Sequence, residues 1–380
     1  MKIPVQPLKL VNSQIAIPSR FLFLIGAILS LVQPCVAAPL RFVETGSLNT
    51  ARYIHTATLL PDGKVLVAGG AMSNFTSLAS AELYDPTNGT WSTSGSLHDA
   101  RYDHTATLLP SGKVLVVGGF ANTGRILGSV ELYDPASGTW TATGSLKIPR
   151  AVHTATLLAD GRVLVTGGYD GFAQPSKTAE LYNPATGRWS YTGHMTFKRT
   201  EHRTTLLPDG TVLVTGGSNF DQGDLPTGEL FQPATGTWAP ARRLATARLD
   251  HTATLLFNGQ VLVGGGFNDD DQDLASTELY NPATGVWTTG GRLTTARDSH
   301  TATLMPNGRV LITGGYGVGG ALASVELYDP ASRVWSATDP LNTARYIHTA
   351  TLLTDGNVLV TGGTDGSSPL ASAEVTVQRP

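Results

Sequence analysis

The stretch His55–Gly70 reads HTATLLPDGKVLVAGG, and at His104–Gly119 it returns as HTATLLPSGKVLVVGG. The histidine that opens it recurs at His55, His104, His153, His202, His251, His300 and His348, in five steps of 49 residues and one of 48. A period of that length marks an array in which each unit is one supersecondary element that buries its apolar face only against its neighbours. Within a unit, HTATLL begins by alternating small or polar residues with apolar ones. PDG then supplies a tight turn, because Gly accepts positive φ and Asp tolerates it. KVLVAGG is a valine-rich apolar run, as a strand buried on both faces would be. After a variable loop comes ASAELYDP, whose proline ends the strand by removing a donor, and a second turn leads to TWSTSGSL. No unit holds a ten-residue stretch of helical periodicity. Four antiparallel strands per unit, repeated radially, predict an all-β propeller. A solenoid would need atypical capping repeats, and the sequence has none.

The ends set the number of blades. The last unit stops at AEVTVQRP, without its turn and tryptophan, while RFVETGSL at 41–48 matches the tail of TWSTSGSL, with Phe42 where tryptophan would stand. The reading is seven blades over residues 39–380. The N-terminal strand completes the last sheet, so that no edge is left open between first and last blades.

The glycine pairs, the Glu-x-Tyr-Asp-Pro strand and the tryptophans at Trp91, Trp140, Trp189, Trp238, Trp287 and Trp335 resemble the kelch repeat, across nearly all of residues 41–380. Phe231 in place of tyrosine and Gln232 in place of Asp or Asn are local departures. The wording is similar to exported bacterial kelch proteins and to the central domain of the galactose oxidase family. That second resemblance would imply copper held by tyrosines and histidines, with one tyrosine cross-linked to cysteine. The residues do not carry it: the one cysteine is Cys35, and no His-x-His or Tyr-His pair occurs. No cofactor and no metal are expected. Some periplasmic kelch proteins are sugar mutarotases, so a secreted carbohydrate-active enzyme of that kind is the alternative to a binding module. No catalytic residue set can be carried over from them.

Residues 1–38 differ from the rest. Lys2, Lys9 and Arg20 are their only charges, FLFLIGAILSLV follows at 21–32, and small residues surround Ala37. That order is expected of a cleavable secretory signal, leaving a secreted or periplasmic chain with no membrane insertion. Removing it shifts the net charge from −3 to −6 and takes away the only cysteine. No basic block is present, which argues against nucleic acid. A monomer is expected.

Arg-x-x-His occurs in all seven units, and each unit also has a glutamate, from Glu82 to Glu374. One ligand cannot use seven equivalent copies. The expectation is that this is scaffold, with each Glu pairing a nearby Arg or His, and that the tryptophans pack between sheets. Function should lie where the repeat changes: in the loops after the glycine pairs and in the approach to each histidine, which share one face. Loops on a rigid scaffold are where binding residues concentrate. Tyr102, Asp103, Tyr169, Glu201, Asp250 and Phe267 are the candidate ligand-binding residues, since aromatic planes beside carboxylates suit a carbohydrate or protein ligand. A non-repeated acid or base with a shifted pKa at the channel mouth would favour an enzyme; an aromatic patch without one would favour binding. The acidic loop Asn268–Asp273 is read as solvated, its cation-binding capacity left open.

Overall fold

The computed structural model describes residues 40–378 apart from residue 271. The expected secretory signal therefore lies outside the described residues. The rest is a ring of seven four-stranded antiparallel sheets, with no α-helix among the described residues. In the first blade, Thr56–Leu59, Val65–Ala68, Ala81–Asp85 and Thr90–Thr93 pair in that order, from axis to rim. The second strand of each blade is buried along its whole length, for example Val65–Ala68. It has sheets on both sides, which accounts for its unbroken apolar sequence.

The ring closes as expected. Leu40–Glu44 pairs with Ala373–Gln378, and that sheet continues to Val358–Thr361 and Thr349–Leu352. Phe42 stands opposite Thr376, the register at which Trp91 stands opposite Tyr84. It is buried with Met305, Leu341, Val358 and Val360. One blade thus contains both ends of the described chain.

The tryptophans pack as expected of inter-blade residues. Each ring lies 4.8–5.1 Å from the aromatic ring beside it on the neighbouring strand. The Trp91 indole N–H donates to the Gly46 carbonyl at 2.7 Å, and Trp140 does the same to Gly95. Phe231 keeps the ring contact, 5.0 Å from Trp238. It lacks the hydroxyl by which Tyr182 meets Thr143 at 2.8 Å, and the equivalent Thr192 donates to the Gly236 carbonyl instead.

The glycine pair is demanded by the approach of the next blade. Gly69 and Gly70 have φ of 61° and 95°. A Cβ on Gly69 would stand 2.6 Å from the Arg101 carbonyl oxygen, so a side chain is excluded by both conformation and space.

Candidate functional site: the acidic mouth of the channel

The Arg-x-x-His segments gather around the axis on the face that also carries the loops after the glycine pairs. Backbone bridges tie the two together, as at Tyr53 with Ala71 and Tyr102 with Phe120. Each repeated polar residue has a structural task. Arg52 binds Glu82 at 2.7 Å, and the same pair recurs in every unit through Arg345 with Glu374 at 2.8 Å. All seven guanidiniums are fully buried. The glutamate also accepts backbone N–H groups from the linker before its arginine, Asn49 and Thr50 in the first unit. The expected pairing therefore holds for arginine, and the glutamate holds linker to sheet.

The repeated histidine does something else. Nε2 of His104 meets Thr56 Oγ1 of the preceding blade at 3.0 Å, and the series closes with His55 on Thr349. Burial lowers the pKa of all seven, His55 to about 3, with nearby guanidiniums adding to the effect. These imidazoles are neutral inter-blade links.

The residue between Arg-x and His forms the collar of the channel. Ile54, Asp103, Val152, Glu201, Asp250, Ser299 and Ile347 all have φ between 45° and 56°. That region is costly for β-branched residues. The conformation turns the amide toward the adjacent blade, where Val152 N–H donates to Asp103 O at 3.1 Å and Asp250 N–H to Glu201 O at 3.2 Å. With the backbone committed to the ring, the side chains are free to differ, and here they do.

Asp103, Arg203, Asp250 and Ser299, with six of the seven repeated histidines, line a cavity of about 340 Å³ at the axis. Burial pushes the Asp103 carboxyl up to about 7, and the charges of Asp250 and Glu201 add to it. Burial raises Glu201 as well, with Asp250 adding and Ser218 and Arg203 opposing. Asp250 is raised by burial, against the pull of Arg203, whose guanidinium lies 3.8 Å away. Three acids and one base thus meet in one place. Together they can accept and donate hydrogen bonds, hold a cation, or move a proton near neutral pH.

Four of the six candidate residues belong to this group. Asp103 and Asp250 line the cavity, Glu201 raises Asp103 and is itself raised by Asp250, and Tyr169 is raised by burial and by the charges of all three. Tyr102 flanks them, stacked on Phe120 at 5.3 Å. Phe267 does not join them: it pairs with Leu249 and Asp273 through its backbone and is absent from the cavity lining. Arg203 comes to the site from a strand that otherwise reads as scaffold, where HRTTLL breaks HTATLL at the threonine that elsewhere receives a histidine. His251, deprived of that threonine, bonds Thr215 Oγ1 at 2.9 Å. The Asn268–Asp273 loop carries a two-stranded turn, and its Asp269 N–H donates to Asp224 at 2.8 Å. Among the described residues no group of His, Cys, Asp or Glu forms a metal site.

The raised carboxyls have a consequence for stability. A group whose folded-state pKa exceeds its unfolded value near 4 contributes stability below that value and loses it as pH rises through the folded pKa. Asp103, with a pKa of about 7, should therefore destabilise the fold increasingly from pH 4 to above 7. Asn accepts the same positive φ. We expect Asp103→Asn to raise stability at pH 8 by on the order of 1 kcal/mol, the shift being discounted for partial exposure, and to change little at pH 4. Urea melts at the two pH values check this, and an equal effect at both would refute it.

These features define a kelch propeller, and the comparisons agree. The KLHDC2/KLHL20/DRC7 Kelch-repeats domain matches residues 54–243, and the Kelch motif matches 299–342. The chain belongs to the kelch-repeat family. No curated protein matches it in sequence. Among solved structures it resembles a fungal alcohol oxidase with catalytic diversity among the AA5 family, in complex with copper. That likeness has a TM-score of 0.70 at 17% identity and covers 90% of this chain and 76% of the other. It also resembles YjhT, with a TM-score of 0.60 at 15% identity, covering 77% of this chain and 99% of that one. At such identities the likeness concerns the fold.

Proposed function

We propose that the protein is a binding module that takes a carbohydrate or protein ligand at the channel mouth on its loop face. The observation that carries this reading is the convergence of repeat-breaking polar residues: Asp103, Arg203 and Asp250 line one cavity, and Glu201 interacts with Asp103 and Asp250 beside it. A protein ligand agrees with the common use of kelch propellers as interaction modules. A glycan and peptide array probed with the full chain tests it. Alanine at Asp103, Glu201 or Asp250 should weaken whatever binds by about tenfold or more, as removal of a charged hydrogen-bond partner does, and alanine at Tyr102 or Tyr169 should weaken it several-fold through lost ring contact. Phe267→Ala should have a smaller effect, since its ring neither lines the cavity nor joins the aromatic contacts made by Tyr102 and Tyr169. Binding lost only through changes in the short turns of the opposite face would sink the proposal.

A second reading has support of its own. The mouth holds non-repeated carboxyls raised toward neutrality, the feature that distinguishes acid–base chemistry from binding alone. A carbohydrate-active enzyme of mutarotase type would use such a group to move a proton on a sugar hydroxyl. Anomer exchange in freshly dissolved aldoses, followed by proton NMR, decides it: an accelerated rate abolished by Glu201→Gln supports the enzyme, and no acceleration rejects it for those sugars.

Export through residues 1–38 belongs to the same proposal. It is supported by the basic, apolar, small-residue order of that segment. N-terminal sequencing of protein from the natural host should begin within two residues of Ala38, and an intact Met1 would refute it.

A further inference from the structure

The charge and the apolar surface of the loop face are unevenly arranged. The acids Asp103, Glu201 and Asp250 converge on the axis, and the charges that act most strongly on Asp103 are negative ones. The one guanidinium in the cavity, Arg203, lies against Asp250. Further out, Asp298 feels Asp273 and Asp250, and Asp224 feels Asp269 and Asp270. The neighbouring cation Lys198 is held by Asp221 at 3.2 Å. Among the non-repeated groups at the collar three acids thus face one base, and a bound cation would relieve the repulsion among those acids.

Around this mouth the loops after the glycine pairs hold apolar side chains out into solvent. Phe172 is 88% exposed, Phe220 66%, Phe75 56% and Val318 94%. Phe75 lies 5.8 Å from Tyr53 and 5.7 Å from Tyr102, so it continues an aromatic wall that reaches the collar. Phe220 does the same with Tyr169 at 6.2 Å. Exposed aromatics grouped on one face mark an interaction surface. A small amine would satisfy the carboxylates and leave these rings uncovered. A nucleic acid or an anionic lipid surface would be repelled. A polypeptide can do both jobs, with one long basic side chain down the axis and its neighbours on the rings.

We propose that the loop face binds a polypeptide that inserts a single lysine or arginine side chain into the channel mouth, against Asp103, Glu201 and Asp250, and rests its flanking residues on the exposed aromatic tips. This rests on the reading of the mouth as a ligand site and names the class of partner.

The test uses the full chain and acetylated, amidated nonapeptide pools, with randomised flanks and a fixed central Lys, Arg, norleucine or Glu. N-acetyl-lysine amide serves as the small cation. The Lys and Arg pools should retain at least tenfold more protein than the norleucine and Glu pools. Individual peptides selected from them should bind at least tenfold more weakly to Asp103→Asn/Glu201→Gln, and the melting temperature of that variant should not fall. Phe172→Ala/Phe220→Ala should weaken the same peptides several-fold and keep the preference for a basic centre. Equal retention of norleucine or Glu pools, or no retention of any pool, overturns the proposal. So does N-acetyl-lysine amide binding as tightly as the peptides, which would assign the mouth to a small cation. If basic peptides fail while an array ligand is lost on Asp103→Ala, this inference falls and the ligand site stands. If no mouth substitution affects any ligand, both fall.

Discussion

Glu180→Ala should cost the propeller about 3–5 kcal/mol, the usual penalty for stranding one partner of a buried ion pair. Glu180 and Arg150 are both fully buried and meet at 2.8 Å. Glu180 also accepts the N–H groups of Lys147 at 2.7 Å and Ile148 at 3.1 Å. Arg150 donates in addition to the Gly167 and Thr178 carbonyls. The substitution leaves a fully buried guanidinium without its counter-charge and two backbone amides without their acceptor. The third blade is the clean place for this experiment, because in the second blade Glu131 has His98 as another partner at 2.8 Å. Urea denaturation measures the loss, and less than about 1 kcal/mol would show that the pair is not holding the linker. Arg150→Met combined with Glu180→Leu should recover part of it, since replacing both charges avoids the stranded one.

Removing the closing strand should harm the fold at least as much. Phe42→Ala alone should cost about 3–5 kcal/mol, as truncation of a buried phenylalanine does, because it empties a site packed by Met305, Leu341, Val358 and Val360. Deleting residues 1–44 removes that ring and the entire pairing of Leu40–Glu44 with Ala373–Gln378. An unpaired edge would then be exposed between the first and last blades, and such an edge invites association with other chains. The expected result is a lower melting temperature together with larger species in light scattering. A deletion variant that melts like the parent and stays the same size would show that the ring does not depend on this closure.

Much of the architecture was legible in the residues because a repeat states its local pairing seven times. The valine run, the PDG turn and the Tyr–Trp pair each specify neighbours within a unit or in the next one. Phe42 opposite an unfinished last unit was enough to read the closure. The fate of the repeated histidine was not legible. Its partner lies 48 residues away in another blade, at Thr56 for His104, and nothing in Arg-x-x-His distinguishes that link from a bond to the glutamate.

The sequence by itself determined the number of blades, the order of strands, the closing strand and the face on which variation lies, because strand and turn chemistry act over a few residues and recur with the period. Only the tertiary structure decided which varied residues meet. Asp103, Glu201 and Asp250 belong to three different units and come together because a closed ring carries equivalent positions to one axis, where positive φ directs the backbone into the collar. Phe267 varies just as freely, yet its loop lies outside the cavity lining. Arg203 reaches the cavity through one threonine replaced in a strand that otherwise reads as scaffold. Phe267 holds the position in its blade that Tyr169 holds in another, so what separates them is which side chains stand beside each, and those neighbours are set only once the ring has closed.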